Sequence, residues 1–307
     1  MRTHRTSRIP KLTGALGAAT ALSLAGAGGA VLAAPSAFAS PSAHHTAVES
    51  TGVLGSRGPV SLSVTAPTPG TVVTGSSLSL SVYAHGYYLD SGYAGTPTSS
   101  WIGHYHEVLD GNLVDMTPLH GPNQDTISMV GVTPGPHTLT LVPTNNDHSM
   151  VMSAAVNVPF TYAGPYLPLP APQTFTGAAT IAITAPANGT RVSGTSFTLG
   201  SSVTNFQLCG DCYAKDLVAG VGHWHIFADQ IAMSHMLTMA SGPTQEVSLK
   251  GLEPGWHTFY AVLVDNHHMP FMTMGGGLQP STVTSVKLYV QPSEDGGRAG
   301  HWAAGVR

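Results

Sequence analysis

Two short stretches carry the residues most able to do chemistry: GHYHEVLDG at 103–111 and VGHWHIFADQ at 221–230. Each puts two histidines one residue apart. If the stretch is an extended strand, residues two apart share a face, so His104 and His106 project together, as do His223 and His225. Two imidazoles on one strand face make half a metal site, because histidine is the commonest metal ligand at neutral pH. Each stretch is followed by a histidine just after a P-G turn, His137 or His257, and by another eleven residues later, His148 or His268. Three or four imidazoles converge if the strand after the turn lies beside the H-x-H strand. In the other reading, H-x-H is a pair of half-exposed strand histidines, and His137 and His257 bond the backbone across their turns. A bound ion would take one nitrogen from each ring and leave the other for a carbonyl or for a carboxylate such as Asp147 or Asp265.

The recurrence is part of a duplication. Residues 60–82, VSLSVTAPTPGTVVTGSSLSLSV, match 180–203, TIAITAPANGTRVSGTSFTLGSSV; GVTPGPHTLTLV matches GLEPGWHTFYAV, and NNDHSM matches DNHHMP. The anchors recur at offsets of 119 to 121, so few insertions separate the copies. Each copy is a series of short alternating apolar runs broken by Gly and Pro, the rhythm of a β-sandwich. The expected fold is all-β, two tandem immunoglobulin-like β-sandwich domains. The boundaries read as a signal peptide over 1–39, a flexible N-terminal segment over 40–58, domain 1 over 59–163, a Pro-rich extended linker over 164–178, domain 2 over 179–291 and a tail over 292–307.

The order G-H-x-H, G-x-x-Q-[DE], P-G-x-H-T, then D/N-x-H followed by Met or Pro resembles a secreted bacterial family of unknown function. Its members are small β-sandwich modules with G-H-H-H, P-G-x-H-T-L and D-x-x-H-x-P-H signatures. Carried over residue by residue, the resemblance implies a site of His104, His106, His120, His137 and His148 in copy one. In copy two it implies His223, His225, His257 and His268, with Ser241 where His120 would align. The likeness covers the central two thirds of each copy and implies a fold and a site position, without an activity.

Composition points outward from the cell. Arg2, Arg5, Arg8 and Lys11 precede a Gly/Ala/Leu-rich run, and A-F-A stands before Ser40, the pattern of a cleaved signal peptide. Its removal leaves seven basic against 15 acidic groups, a formal charge of −8, which argues against nucleic acid or anionic lipid as partner. The expected location is secreted or extracellular, with the cell envelope as the other possibility, and no membrane association after cleavage.

Imidazole suits copper, zinc and nickel, and thioether sulfur selects Cu(I). Methionines crowd the late histidines, so copper is the first choice of cofactor and zinc the alternative. His120, His267, Met269 and Met272 are possible additional ligands; the other reading of the methionines is core filling. Copy two, with the HHMPFMTMGGG segment at 267–277, is expected to bind copper more tightly. Cys209 and Cys212, in C-G-D-C, are expected to form a disulfide.

No nucleophile, HExxH or paired-carboxylate motif is present, so a hydrolase has no candidate residues. The expected function is a non-catalytic, secreted metal-binding protein. The alternative is an adhesive or carbohydrate- or polymer-binding module using Trp101, Trp224, Trp256, Tyr87, Tyr88 and Tyr93. A copper redox enzyme of the superoxide dismutase type is a third reading, against which stand the missing zinc loop and anion-guiding Arg. The protein or glycan partner is not legible.

Overall fold

The computed structural model describes residues 59–86, 88–99, 101–116 and 124–292. The expected signal peptide, the segment to residue 58, nearly all of the tail, Tyr87 and His120 lie outside the described residues. Among those described, no helix is long and apolar enough to cross a membrane.

Both halves are mainly antiparallel β-sandwiches of the same topology, each with two short edge strands paired in parallel. The first comprises β1 (Ser61–Ala66), β2 (Thr71–Val73), β3 (Ser77–His85), β4 (Tyr88–Leu89), β5 (Ile102–Leu109), β6 (Asn112–Asp115), β7 (Gln124–Ser128), β8 (Gly135–Asn145) and β9 (Val156–Tyr162). A sheet ordered β1-β3-β7 faces one ordered β2-β9-β8-β5-β4, with β6 added on β5. The second comprises β10 (Thr180–Ala185), β11 (Arg191–Val192), β12 (Ser196–Thr204), β13 (Gln207–Leu208), β14 (Val221–Ala228), β15 (Met236–Ala240), β16 (Thr244–Ser248), β17 (Gly255–Asp265) and β18 (Val283–Val290). Its sheets are β10-β12-β16 and β11-β18-β17-β14-β13, with β15 on β14. The chain is therefore two tandem immunoglobulin-like sandwiches.

Period-two patterning makes these strands. Leu78, Leu80 and Val82 of β3 and Val158, Phe160 and Tyr162 of β9 face inward, alternating with serines on β3 and with Asn157, Pro159 and Thr161 on β9 that lie on the outer face. The linker region has no helix or strand, and it is tied at both ends: Gly131 N–H donates to Leu167 O at 2.8 Å, and Gln173 N–H to Ala219 O at 2.9 Å.

The fold positions the site through the outer face of one strand per half. On β5, Tyr105 and Leu109 enter the first core; on β14, Trp224, Ile226 and Ala228 enter the second. Alternation sends the H-x-H pairs the other way, yet His104, His106, His223 and His225 are all at most 2% exposed. What covers them is the other sandwich. A third apolar cluster joins Met116 of the first half to Phe227, Met236, Met239, Val262 and Val264 of the second. Ala214 of the second half packs into the first core, and Lys250 Nζ reaches Asp90 Oδ2 at 2.8 Å across the seam.

Candidate metal centres

Two groups of three histidines have their ligand nitrogens mutually within 4.8 Å: His104, His106 and His148, and His223, His225 and His268. In triad one, His106 Nε2 stands 3.3 Å from His104 Nε2 and 3.2 Å from His148 Nδ1. In triad two all three nitrogens meet: His223 Nε2 to His225 Nε2 at 3.0 Å, His223 Nε2 to His268 Nδ1 at 2.9 Å, and His225 Nε2 to His268 Nδ1 at 3.2 Å.

The strands β5 and β14 supply the first two ligands by register, and the turns after β8 and β17 supply the third. His148 and His268 take left-handed backbone, φ 62° and 63°. That region costs an L-residue energy, and histidine is among the few side chains enriched there. The turn is held by its acid: Asp147 Oδ1 accepts from Ser149 N–H and Oγ, and Asp265 Oδ1 from the N–H groups of His267 and Met269. These carboxylates therefore shape the turn and do not orient the imidazoles. That task falls to backbone carbonyls of the opposite half. His148 Nε2–H donates to Met236 O and His268 Nε2–H to Leu113 O, each at 2.7 Å.

Those two bonds fix the chemistry of the third ligand. A neutral imidazole that donates from Nε2 has a bare lone pair on Nδ1, the nitrogen aimed at the other two rings. All six rings are held neutral. Desolvation, then the neighbouring histidines, push His104, His106, His223 and His225 well below the ordinary value; desolvation brings His148 and His268 to about 4. In triad two no assignment of protons to neutral rings satisfies all three contacts. With both Nε2 atoms protonated, two N–H groups confront each other; with one or none, two lone pairs do.

Behind triad one, Glu107 is buried on the inner face of β5, and desolvation with Asp115 and Asp125 nearby holds its carboxyl well above the usual range. Copy two has Ile226 at this position, so the acid is not a shared part of the centres.

His137 and His257 do not belong to the triads. His137 Nδ1 meets Asp110 Oδ2 at 2.6 Å and its Nε2 meets Thr133 O at 2.7 Å; His257 does the same with Asp229 and Glu253 O, both at 2.7 Å. Both nitrogens are engaged in closing a turn, which corrects their assignment as ligands. His267, Met269 and Met272 are exposed, and His267 is not a member of either triad. Trp224 is fully buried and cannot serve an adhesive surface, whereas Trp101, Trp256 and Tyr88 are exposed. Cys209 and Cys212 are bonded to each other, immediately before Tyr213, whose ring lies 4.3 Å from that of His223 and 5.9 Å from that of His268.

No protein-family model matches the chain, and no curated protein matches it. Solved structures give only distant likenesses. The fibronectin(III)-like modules of Clostridium thermocellum CbhA are 14% identical, covering 75% of this chain and 94% of theirs, at a TM-score of 0.24. The D00-D0 domain of intimin is 10% identical over 75% and 96%, at 0.21. Three N-terminal domains of the bacteriophage RB49 outer capsid protein Hoc are 13% identical over 76% and 59%, at 0.20. The architecture accordingly rests on the strand pairings above.

Proposed function

We propose that the chain is a secreted, non-catalytic metal-binding protein that holds one ion in each histidine triad, copper in the first instance and zinc as the alternative. The observation that carries this reading is the nitrogen triangle of triad two. Ligands about 2.0–2.1 Å from a tetrahedral ion stand about 3.3 Å apart, and the three contacts are 2.9, 3.0 and 3.2 Å. An ion turns three confronting lone pairs into three bonds. Copper is preferred because an imidazole set without thiolate binds Cu(II) most strongly among the divalent first-row ions. Secretion is supported by the N-terminal basic and apolar pattern and the A-F-A site.

The test is elemental analysis of protein purified without a histidine tag, followed by calorimetric titration with Cu(II) and Zn(II). Two equivalents are expected in the wild type, one in His223→Ala with His225→Ala, and none when His104 and His106 are replaced as well. Wild-type binding no tighter than that of the fourfold variant sinks the reading.

A second reading, a glycan- or polymer-binding module, is favoured by one exposed patch. Trp256 is 53% exposed, lies edge-on to Tyr289 and has Lys287 Nζ 5.5 Å from its ring centre. Retention of Trp256→Ala on polysaccharide columns equal to that of the wild type would end that reading.

A further inference from the structure

The duplication kept the triads but changed one outer face of the second sandwich. On β11, β17 and β18 three side chains share a register: Tyr289 pairs with Arg191 on one side and with Trp256 on the other. With Lys287 they form a row. Lys287 Nζ lies 5.5 Å from the Trp256 ring centre, that ring stands 5.4 Å from Tyr289 and edge-on to it, and Arg191 Cζ lies 4.7 Å over the Tyr289 ring. Arg191 and Lys287 are exposed, and Trp256 is 53% exposed. The matching register positions of the first half hold Val72, Pro136 and Thr161, with Pro159 in place of Lys287. That half forms the same sandwich without the row, so the fold does not require it.

Charge singles out the same face. Arg191, Lys215, Lys250 and Lys287 are the basic residues among those described. Lys215 is buried and Lys250 is paired with Asp90, whereas neither Arg191 nor Lys287 forms an ion pair with a described residue. β11 and β18 carry no acid, and β17 carries only Asp265, at its far end. A cation resting on a ring is held in place instead of swinging freely, which lowers the entropy cost of meeting an anion. We infer that this row binds a polysaccharide bearing carboxylates, a uronic acid polymer, with sugar rings against Trp256 and carboxylates on Arg191 and Lys287. The electron-rich face of an exposed aromatic ring suits the C–H face of a sugar, and the guanidinium fork suits a carboxylate. Cations at the two ends of the row, with rings between them, match a sugar chain that carries its acids at intervals. The acidic balance of the whole chain repels a densely charged polymer and leaves attraction only at contact range. The inference narrows the second reading above and is independent of the metal centres.

The test is affinity electrophoresis of the chain from residue 40 through gels holding polygalacturonate, neutral dextran or polyphosphate. A chelator is present, so that no ion bridges carboxylates to the triads. Polygalacturonate is expected to retard the chain more than either comparison polymer, and less as salt is raised. Arg191→Gln with Lys287→Gln, and separately Trp256→Ala, should each weaken binding about tenfold or more while the far-UV spectrum stays that of the wild type. Arg298→Gln with Arg307→Gln removes the same charge elsewhere and should leave binding unchanged. A chain ending at residue 292 should bind equally well; binding that emerges only after this truncation makes the tail the occupant and overturns the inference. Stronger retardation by polyphosphate also overturns it, as does equal retardation by dextran, which leaves the glycan reading standing. Retardation by none of the three polymers overturns both.

Discussion

At the scale of single residues, type and spacing made the triads legible but not the membership of every histidine. H-x-H on a strand puts both rings on one face whatever the fold, so His104, His106, His223 and His225 could be read directly from the sequence. His137 and His257 carry the same residue type at an equally regular spacing, and only the positions of Asp110 and Asp229 show that their nitrogens are used in closing turns. Asp110 also accepts from Thr138 N–H at 2.9 Å, so His137→Ala should cost about 1–2 kcal/mol in urea unfolding, the loss of one or two hydrogen bonds, without changing metal stoichiometry. Loss of an ion in that variant would return His137 to the centre. A second expectation concerns Lys215, 7% exposed, its Nζ without a hydrogen-bond partner among the described residues. Desolvation lowers it to about 8, against the raising influence of Asp110 and Asp211. The unfolded chain therefore binds more protons between its ordinary 10.5 and 8, and stability rises with pH across that window. Lys215→Met should stabilise the fold at pH 7 by on the order of 3 kcal/mol, a gain that shrinks as pH is raised toward 10.5. A melting temperature unchanged at pH 7 would mean that the ammonium is solvated.

At the scale of elements, alternation and the P-G turns carried the strands, and the duplication carried their order, because each signal is local in the chain. What covers the outer face of β5 and β14 is not local. The H-x-H face reads as a polar, half-exposed strand surface, and its burial depends on a second sheet more than a hundred residues away. Nor does a carbonyl that orients an imidazole leave any mark of residue type, so Met236 O and Leu113 O could not be anticipated. Gly95 tests how closely these elements are fitted. It has φ +74°, and a Cβ there would lie 2.6 Å from Met236 O, the acceptor of His148. Gly95→Val must push β15 away and break that bond. Removing an outer-shell partner typically costs 10–100-fold in metal affinity, so the first centre should weaken by about that factor in calorimetric titration while the second keeps its affinity. Equal weakening of both would show that β15 does not act on the first centre in particular.

At the scale of the whole molecule, the two bonds from His148 and His268 make each centre a joint product of both sandwiches. An ion on Nδ1 withdraws electron density from the ring and makes its Nε2–H a stronger donor, so metal at either centre tightens a hydrogen bond across the seam. The coupling is reciprocal by necessity: whatever the ion adds to the association of the halves, the association adds to the affinity for the ion. Without metal the seam keeps its apolar cluster and the Lys250–Asp90 pair. The halves should then still associate, but less tightly. A protease site placed in the linker at 170–172, between the two points where the linker is tied down, makes this measurable. After cleavage, the dissociation constant of the two halves is expected to rise at least tenfold when the metal is chelated, and each separated half should bind its ion more weakly than the intact chain does. Replacing His148 by Ala should remove part of the metal dependence, since only the second bond would remain to transmit it. If the cleaved halves associate equally well with and without metal, the carbonyl contacts are incidental and each sandwich holds its ion alone.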